Sequence, residues 1–94
     1  MKSLIFAVLA TVGLSVAGVA QANADLAQKS GCMTCHSVDT KKMGPAFKDV
    51  AKKYKGQASA EADLVGKLKA GKGHPAVKTS DDDTKALVKW VLAL

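Results

Sequence analysis

The chain contains no arginine. All 14 of its basic residues are lysine, against 8 acids, and aromatic residues make up only 4% of it. Without guanidinium forks, an aromatic platform or a recognised binding motif, nothing here grips phosphates or stacks bases, so a nucleic-acid function is excluded. No strand-type alternation and no internal repeat runs through the chain, which points to helices. Cysteine and histidine are scarce too, two of each, and three of those four residues fall within Cys32-Met33-Thr34-Cys35-His36.

Long apolar runs are missing everywhere except at the N-terminus. There Met1-Lys2-Ser3 supplies a positive start, Leu4 to Val19 is mostly apolar, and Ala22-Asn23-Ala24 has the small-residue pattern of a cleavage site. The expectation is a secretory signal peptide over residues 1–24, removed before Asp25; Ala20-Gln21-Ala22 is a second acceptable site that would start the product at Asn23. The apolar stretch is short for a membrane span, so no stable anchor is expected after cleavage and the working domain is 25–94. Export by this signal peptide is therefore expected.

Cleavage before Asp25 leaves 70 residues with 13 lysines and 8 acids, a formal charge of +5. So short a chain rarely holds a core without a staple. The staple is suggested by Cys32-x-x-Cys35-His36, the spacing of c-type haem attachment: two thiols three positions apart each add to one vinyl group, and the next imidazole lies under the iron. If several hundred Å² of macrocycle are buried, about 25 cal/mol per Å² gives on the order of 10 kcal/mol, so the apo chain should be poorly folded. Two propionates would bring the net charge nearer +3, a modest excess suited to docking on acidic surfaces.

The remainder reads as a helical shell. Asp25–Ser30 is a short helix candidate with Asp25 at its positive end. Gly31 fits two readings, a close approach of backbone to another helix or a plain helix-ending glycine. After a loop closed by Gly44-Pro45, residues Ala46–Tyr54 carry Phe47, Val50, Ala51 and Tyr54 at helical spacing, with Lys48, Lys52 and Lys53 opposite. Ser59 is the expected cap of a helix over Ala60–Ala70, whose inward stripe is Leu64 and Leu68, and Gly71 stops it. Ser80 caps the last helix, with Asp83 placed as a capping-box acid.

Taken together, these residues resemble the small single-haem class I c-type cytochromes of bacterial periplasm, the short electron-carrier group. The resemblance covers nearly all of 25–94 and rests on Gly31-Cys32-x-x-Cys35-His36, on Val38-Asp39-Thr40-Lys41 leading into Met43-Gly44-Pro45-Ala46-Phe47, and on Ser80-Asp81-Asp82 leading into Ala86-Leu87-Val88-Lys89-Trp90. It implies an all-α cytochrome c fold, about four short helices wrapped around one covalent haem c, with the first and last helices crossing near Gly31 and Trp90. It implies that the Pro45 carbonyl accepts a hydrogen bond from His36 Nδ1, and it suggests Phe47, Leu64 and Leu68 as haem-pocket residues. The family's usual second ligand is a methionine followed by proline, ahead of the last helix. Here His74-Pro75 stands sixteen positions before Trp90 instead. His74 is therefore expected as second axial ligand; Met43, a vacant position, Lys72 and Lys78 are the competitors, and the same two lysines are candidates for holding the propionates.

A second imidazole in place of a thioether should lower the reduction potential. The expected function is electron transfer between redox proteins by a monomer, without enzymatic activity. The alternative is a small-gas binding or sensing protein with an open or displaceable sixth position. Two further readings of the cysteines are a redox-active dithiol, which belongs in a βαβ setting, and a zinc site with His36 and His74.

Overall fold

A computed structural model describes residues 17–94, with side chains from Asn23 onward. The expected charged start of the signal peptide and most of its apolar stretch lie outside the described residues. Four α-helices succeed one another: α1 (Ala17–Lys29), α2 (Phe47–Lys53), α3 (Ala60–Ala70) and α4 (Asp81–Leu92), with a single 3-10 turn, Cys32–Thr34, between α1 and α2. There is no strand among the described residues. No described helix is long and apolar enough to cross a membrane.

The last helix organises the rest: α4 packs against α1, α2 and α3, and α1 also contacts the 3-10 turn at its C-terminal end. Leu87, Val88 and Thr84 are its buried residues. The buried apolar set is otherwise Ala27 on α1, Ala46, Phe47 and Ala51 in and around α2, and Ala60 on α3. Thr84 tolerates burial because its hydroxyl donates to the Ser80 carbonyl at 2.8 Å. Four of these seven apolar residues are alanines, which lets helix backbones approach closely but buries little area each.

Helix ends show how local chemistry sets the elements. Ser80 accepts from the Asp83 backbone N–H at 3.2 Å, a side-chain cap that contributes about 1 kcal/mol. Ser59 does not cap α3: its backbone is already helical, φ −88° and ψ −1°, and its hydroxyl donates instead to Asp63 Oδ2 at 3.0 Å. Helix α2 has no side-chain cap either; the carbonyls of Ser37 and Val38 accept from the Phe47 and Lys48 N–H groups at 2.9 and 3.1 Å. That ties the start of α2 to the segment just after His36. Among the described residues, α1 is already helical from Ala17, well before Asp25. Its Ala-rich sequence favours helix throughout, so in the full chain Asp25 lies within the helix and not at its positive end.

Gly31 has a φ of 80°, and a Cβ there would meet no atom within 4 Å. Of its two readings, the helix-ending one is correct: a left-handed residue turns the chain out of α1. Among the described side chains of α1 the buried one is Ala27, 1% exposed, so the α1–α4 contact does not need the glycine for room.

Candidate functional site

The 3-10 turn wraps the two cysteines into one tight loop. Cys35 N–H donates to the Cys32 carbonyl at 3.3 Å and His36 N–H donates to the same carbonyl at 3.0 Å. Both thiols are free and their residues are half-buried. Burial pushes the Cys32 thiol above its ordinary range, with a backbone hydrogen bond partly opposing. A redox-active dithiol needs a lowered nucleophilic thiol, so this environment and the all-helical setting argue against that reading.

His36 is held on its ring as well as its backbone. Its Nδ1–H donates to the Pro45 carbonyl at 2.7 Å, which fixes the tautomer and leaves Nε2 with a free lone pair. Gly44 lies against the imidazole: a Cβ there would collide with Cε1 and come within 2.7 Å of both ring nitrogens. Gly44 N–H in turn donates to the Cys35 carbonyl at 2.7 Å. From α2, Phe47 stacks on the ring with centroids 4.9 Å apart and planes 22° apart, and Trp90 meets Phe47 edge-on at 5.7 Å. Lys42 Nζ donates to the Met33 carbonyl at 3.1 Å, fastening the far side of the cysteine turn.

His74 approaches from the α3–α4 connection. Two backbone bonds close that loop onto α3, Gly71 N–H to the Lys67 carbonyl and Val77 N–H to the Leu68 carbonyl, both 2.9 Å. His74 is half-buried, and its Nδ1–H donates to the Pro75 carbonyl at 2.7 Å. Its ring centre lies 5.9 Å from that of His36 with planes 6° apart. Met43 is 86% exposed, on the loop beside His36. Lys72 and Lys78 are exposed on either side of His74.

This arrangement fits an iron porphyrin. Metal–nitrogen bonds of about 2 Å put the nitrogens of two imidazoles sharing one metal about 4 Å apart and their centres about 6 Å apart. The 5.9 Å between the observed ring centres agrees with that spacing, and each ring spends Nδ1 on a carbonyl. Leu64, Leu68, Val50 and Val77 are only half-buried by protein, so apolar area is left on each of them for a macrocycle to cover. A zinc site does not form: among the described residues, no three His, Cys, Asp or Glu side chains are placed to share a metal ion.

Two contacts escaped the sequence reading. The close approach of Gly44 to the imidazole was signalled only by a glycine beside Pro45. The bond from His74 to the Pro75 carbonyl had no signal beyond the proline itself.

A family model described as cytochrome c matches residues 20–94. The chain is similar to cytochrome c-552 of Nitrosomonas europaea, 45% identical over 102 residues that cover 100% of this chain and 99% of the relative. It is also similar to cytochrome c-551 of Allochromatium vinosum, 46% identical over 94 residues, covering 92% and 100% respectively. Among solved structures, the class 1 cytochrome MtoD of Sideroxydans lithotrophicus ES-1 superimposes with a TM-score of 0.72 at 36% identity, covering 78% of this chain and 92% of that one.

Proposed function

The chain belongs to the cytochrome c family, has its all-α fold and, through Cys32 and Cys35, carries one covalent haem c; from that premise we propose that it is a periplasmic one-electron carrier whose iron is held by His36 and His74. The observation that carries this reading is the ring pair, 5.9 Å between centres and 6° between planes. When bound, the haem supplies one reversible electron, ferrous to ferric. The protein's part is to hold it. Cys32 and Cys35 would tether it, His36, fixed by Pro45, Gly44 and Phe47, would supply one ligand, and His74 would supply the second.

Two imidazoles favour the ferric state more than an imidazole and a thioether do, so the potential lies below that of methionine-ligated relatives. With both histidines as ligands, no coordination position would be left for a substrate, and the protein would act by electron transfer alone. Residues 1–24 direct export and are removed. The lysine excess suits redox partners with acidic docking surfaces, met by a monomer.

The test is the optical spectrum of the holoprotein in both oxidation states beside that of His74→Ala. The expected wild type is low-spin, without the weak far-red band of a methionine–iron bond, and the variant turns high-spin and binds carbon monoxide. A wild type already high-spin, or a variant with an unchanged spectrum, would overturn the reading and favour a small-ligand binding protein.

A further inference from the structure

The same hydrogen bond occurs on both rings. His36 Nδ1–H reaches the Pro45 carbonyl and His74 Nδ1–H reaches the Pro75 carbonyl, each at 2.7 Å, and the two planes come out 6° from parallel. The partners differ in kind. Pro45 lies nine residues from His36, so that bond depends on how the loop folds back, whereas Pro75 is the very next residue after His74. Only a few dihedrals separate the His74 ring from the carbonyl it uses. Proline fixes one of them, φ of residue 75, near −65°. It also confines the backbone of His74 to the extended region. A proline at 75 thus sets the rotation of the ring one residue before it.

Ring rotation has electronic consequences. An imidazole donates π density perpendicular to its own plane. Two parallel imidazoles therefore load the same metal d orbital and split it from its partner, which gives a rhombic ferric ion. Two perpendicular ones load both orbitals equally and give an axial ion dominated by one large-g feature. We propose that Pro75 is the positioning residue of the second ring: its carbonyl holds His74 parallel to His36, so that ferric iron between them is rhombic. The proposal rests on both histidines being ligands, and its test separates the two claims.

The experiment is electron paramagnetic resonance of the ferric holoprotein, wild type against Pro75→Ala, with carbon monoxide titration of the ferrous forms. The exchange of the His74 Nδ1 proton is followed by NMR in the ferrous wild type. The wild type should be low-spin and rhombic with a slowly exchanging Nδ1 proton. Pro75→Ala keeps the carbonyl but frees its φ, so the variant should stay low-spin but shift towards the axial spectrum, and its carbon monoxide affinity should rise by less than about fivefold, the factor that complete loss of one neutral hydrogen bond would supply. A low-spin bis-histidine wild type with an axial spectrum, a fast-exchanging Nδ1 proton, or a Pro75→Ala spectrum identical to wild type would overturn the positioning role and leave the ligand assignment standing. A wild type lacking a second nitrogen ligand would overturn both. The proton measurement needs no variant, so misfolding of Pro75→Ala leaves the proposal open to refutation.

Discussion

The two histidine-bearing segments are secured by different means. Around His36, the backbone N–H reaches Cys32, the ring reaches Pro45, and Gly44 and Phe47 lie against the imidazole. The carbonyls just beyond it hold the start of α2. These partners come from a 3-10 turn, a loop and a helix, so the ring is fixed by packing. Around His74, two backbone bonds close the loop on α3 and the ring uses its own neighbour. That ring is fixed by local backbone conformation. A ligand held by packing cannot change type without rebuilding its surroundings, whereas one held by a short loop can. Under the proposed ligation, this explains how a histidine can stand at 74, where the resemblance implies a methionine, without disturbing the fold.

The largest effect should come from breaking the packed side of this contrast. In Gly44→Ala the new methyl group overlaps the His36 imidazole, and neither the ring, fixed by Pro45 and Phe47, nor the backbone, fixed by Cys35, has room to yield. Overpacking of this kind costs about 1–3 kcal/mol, occasionally more. The expected outcome is a clear drop in denaturation midpoint of the holoprotein together with a disturbed optical spectrum. Wild-type stability and spectrum in Gly44→Ala would mean that the His36 side yields as easily as the His74 side, and the contrast would fail.

The second effect tests whether the His74 loop depends on the helix it leads into. Removing the cap in Ser80→Ala should cost about 1 kcal/mol, because the Asp83 N–H loses its partner at the start of α4. If His74 is held locally, denaturation shifts and the low-spin spectrum does not. A high-spin fraction in this variant would show that the cap of α4 takes part in holding the ring.

Much of this frame was legible in the sequence. Helix α3 runs over the expected Ala60–Ala70, α2 falls one residue inside each end of Ala46–Tyr54, and α4 starts directly after Ser80. These are short periodic segments bounded by glycine or a true cap, where local signals suffice. Ser59 misled because a serine before a helix caps only from an extended backbone. Here the preceding turn, with Ala60 N–H on the Gln57 carbonyl, already makes it helical. That the described chain is already helical before Asp25 was obscured because one alanine-rich stretch satisfies both a cleavage pattern and a helix. Gly31 needed its φ to settle which of two glycine roles it plays. The haem-attachment spacing singled out His36 and the resemblance singled out His74, but neither gave the angle between their rings, because that angle depends on where the Pro45 loop folds back and on the local backbone at Pro75.

The smallest effect lies at the base of the His74 loop, where Lys69 at the end of α3 meets Asp81 at the start of α4 with Nζ to Oδ1 at 2.7 Å. The hydrogen bond from Lys69, and then its charge, hold the Asp81 carboxyl below its ordinary range. Because the folded-state pKa is the lower one, the pair's contribution is fully present above the unfolded value of about 3.9 and is lost as pH falls through the folded value. Both groups are exposed, so water and salt screen the pair. Asp81→Asn should therefore lower the denaturation midpoint slightly and evenly at neutral pH, and the gap from wild type should close as pH falls through the lowered folded-state pKa and shrink in high salt. A gap that persisted in acid would assign the effect to shape, not charge. Carbon monoxide binding should not change, since the bonds from Gly71 and Val77 close the loop independently of the ion pair. A rise in binding would mean that the two helices brace His74 from outside, and that its loop is less self-sufficient than its backbone bonds imply.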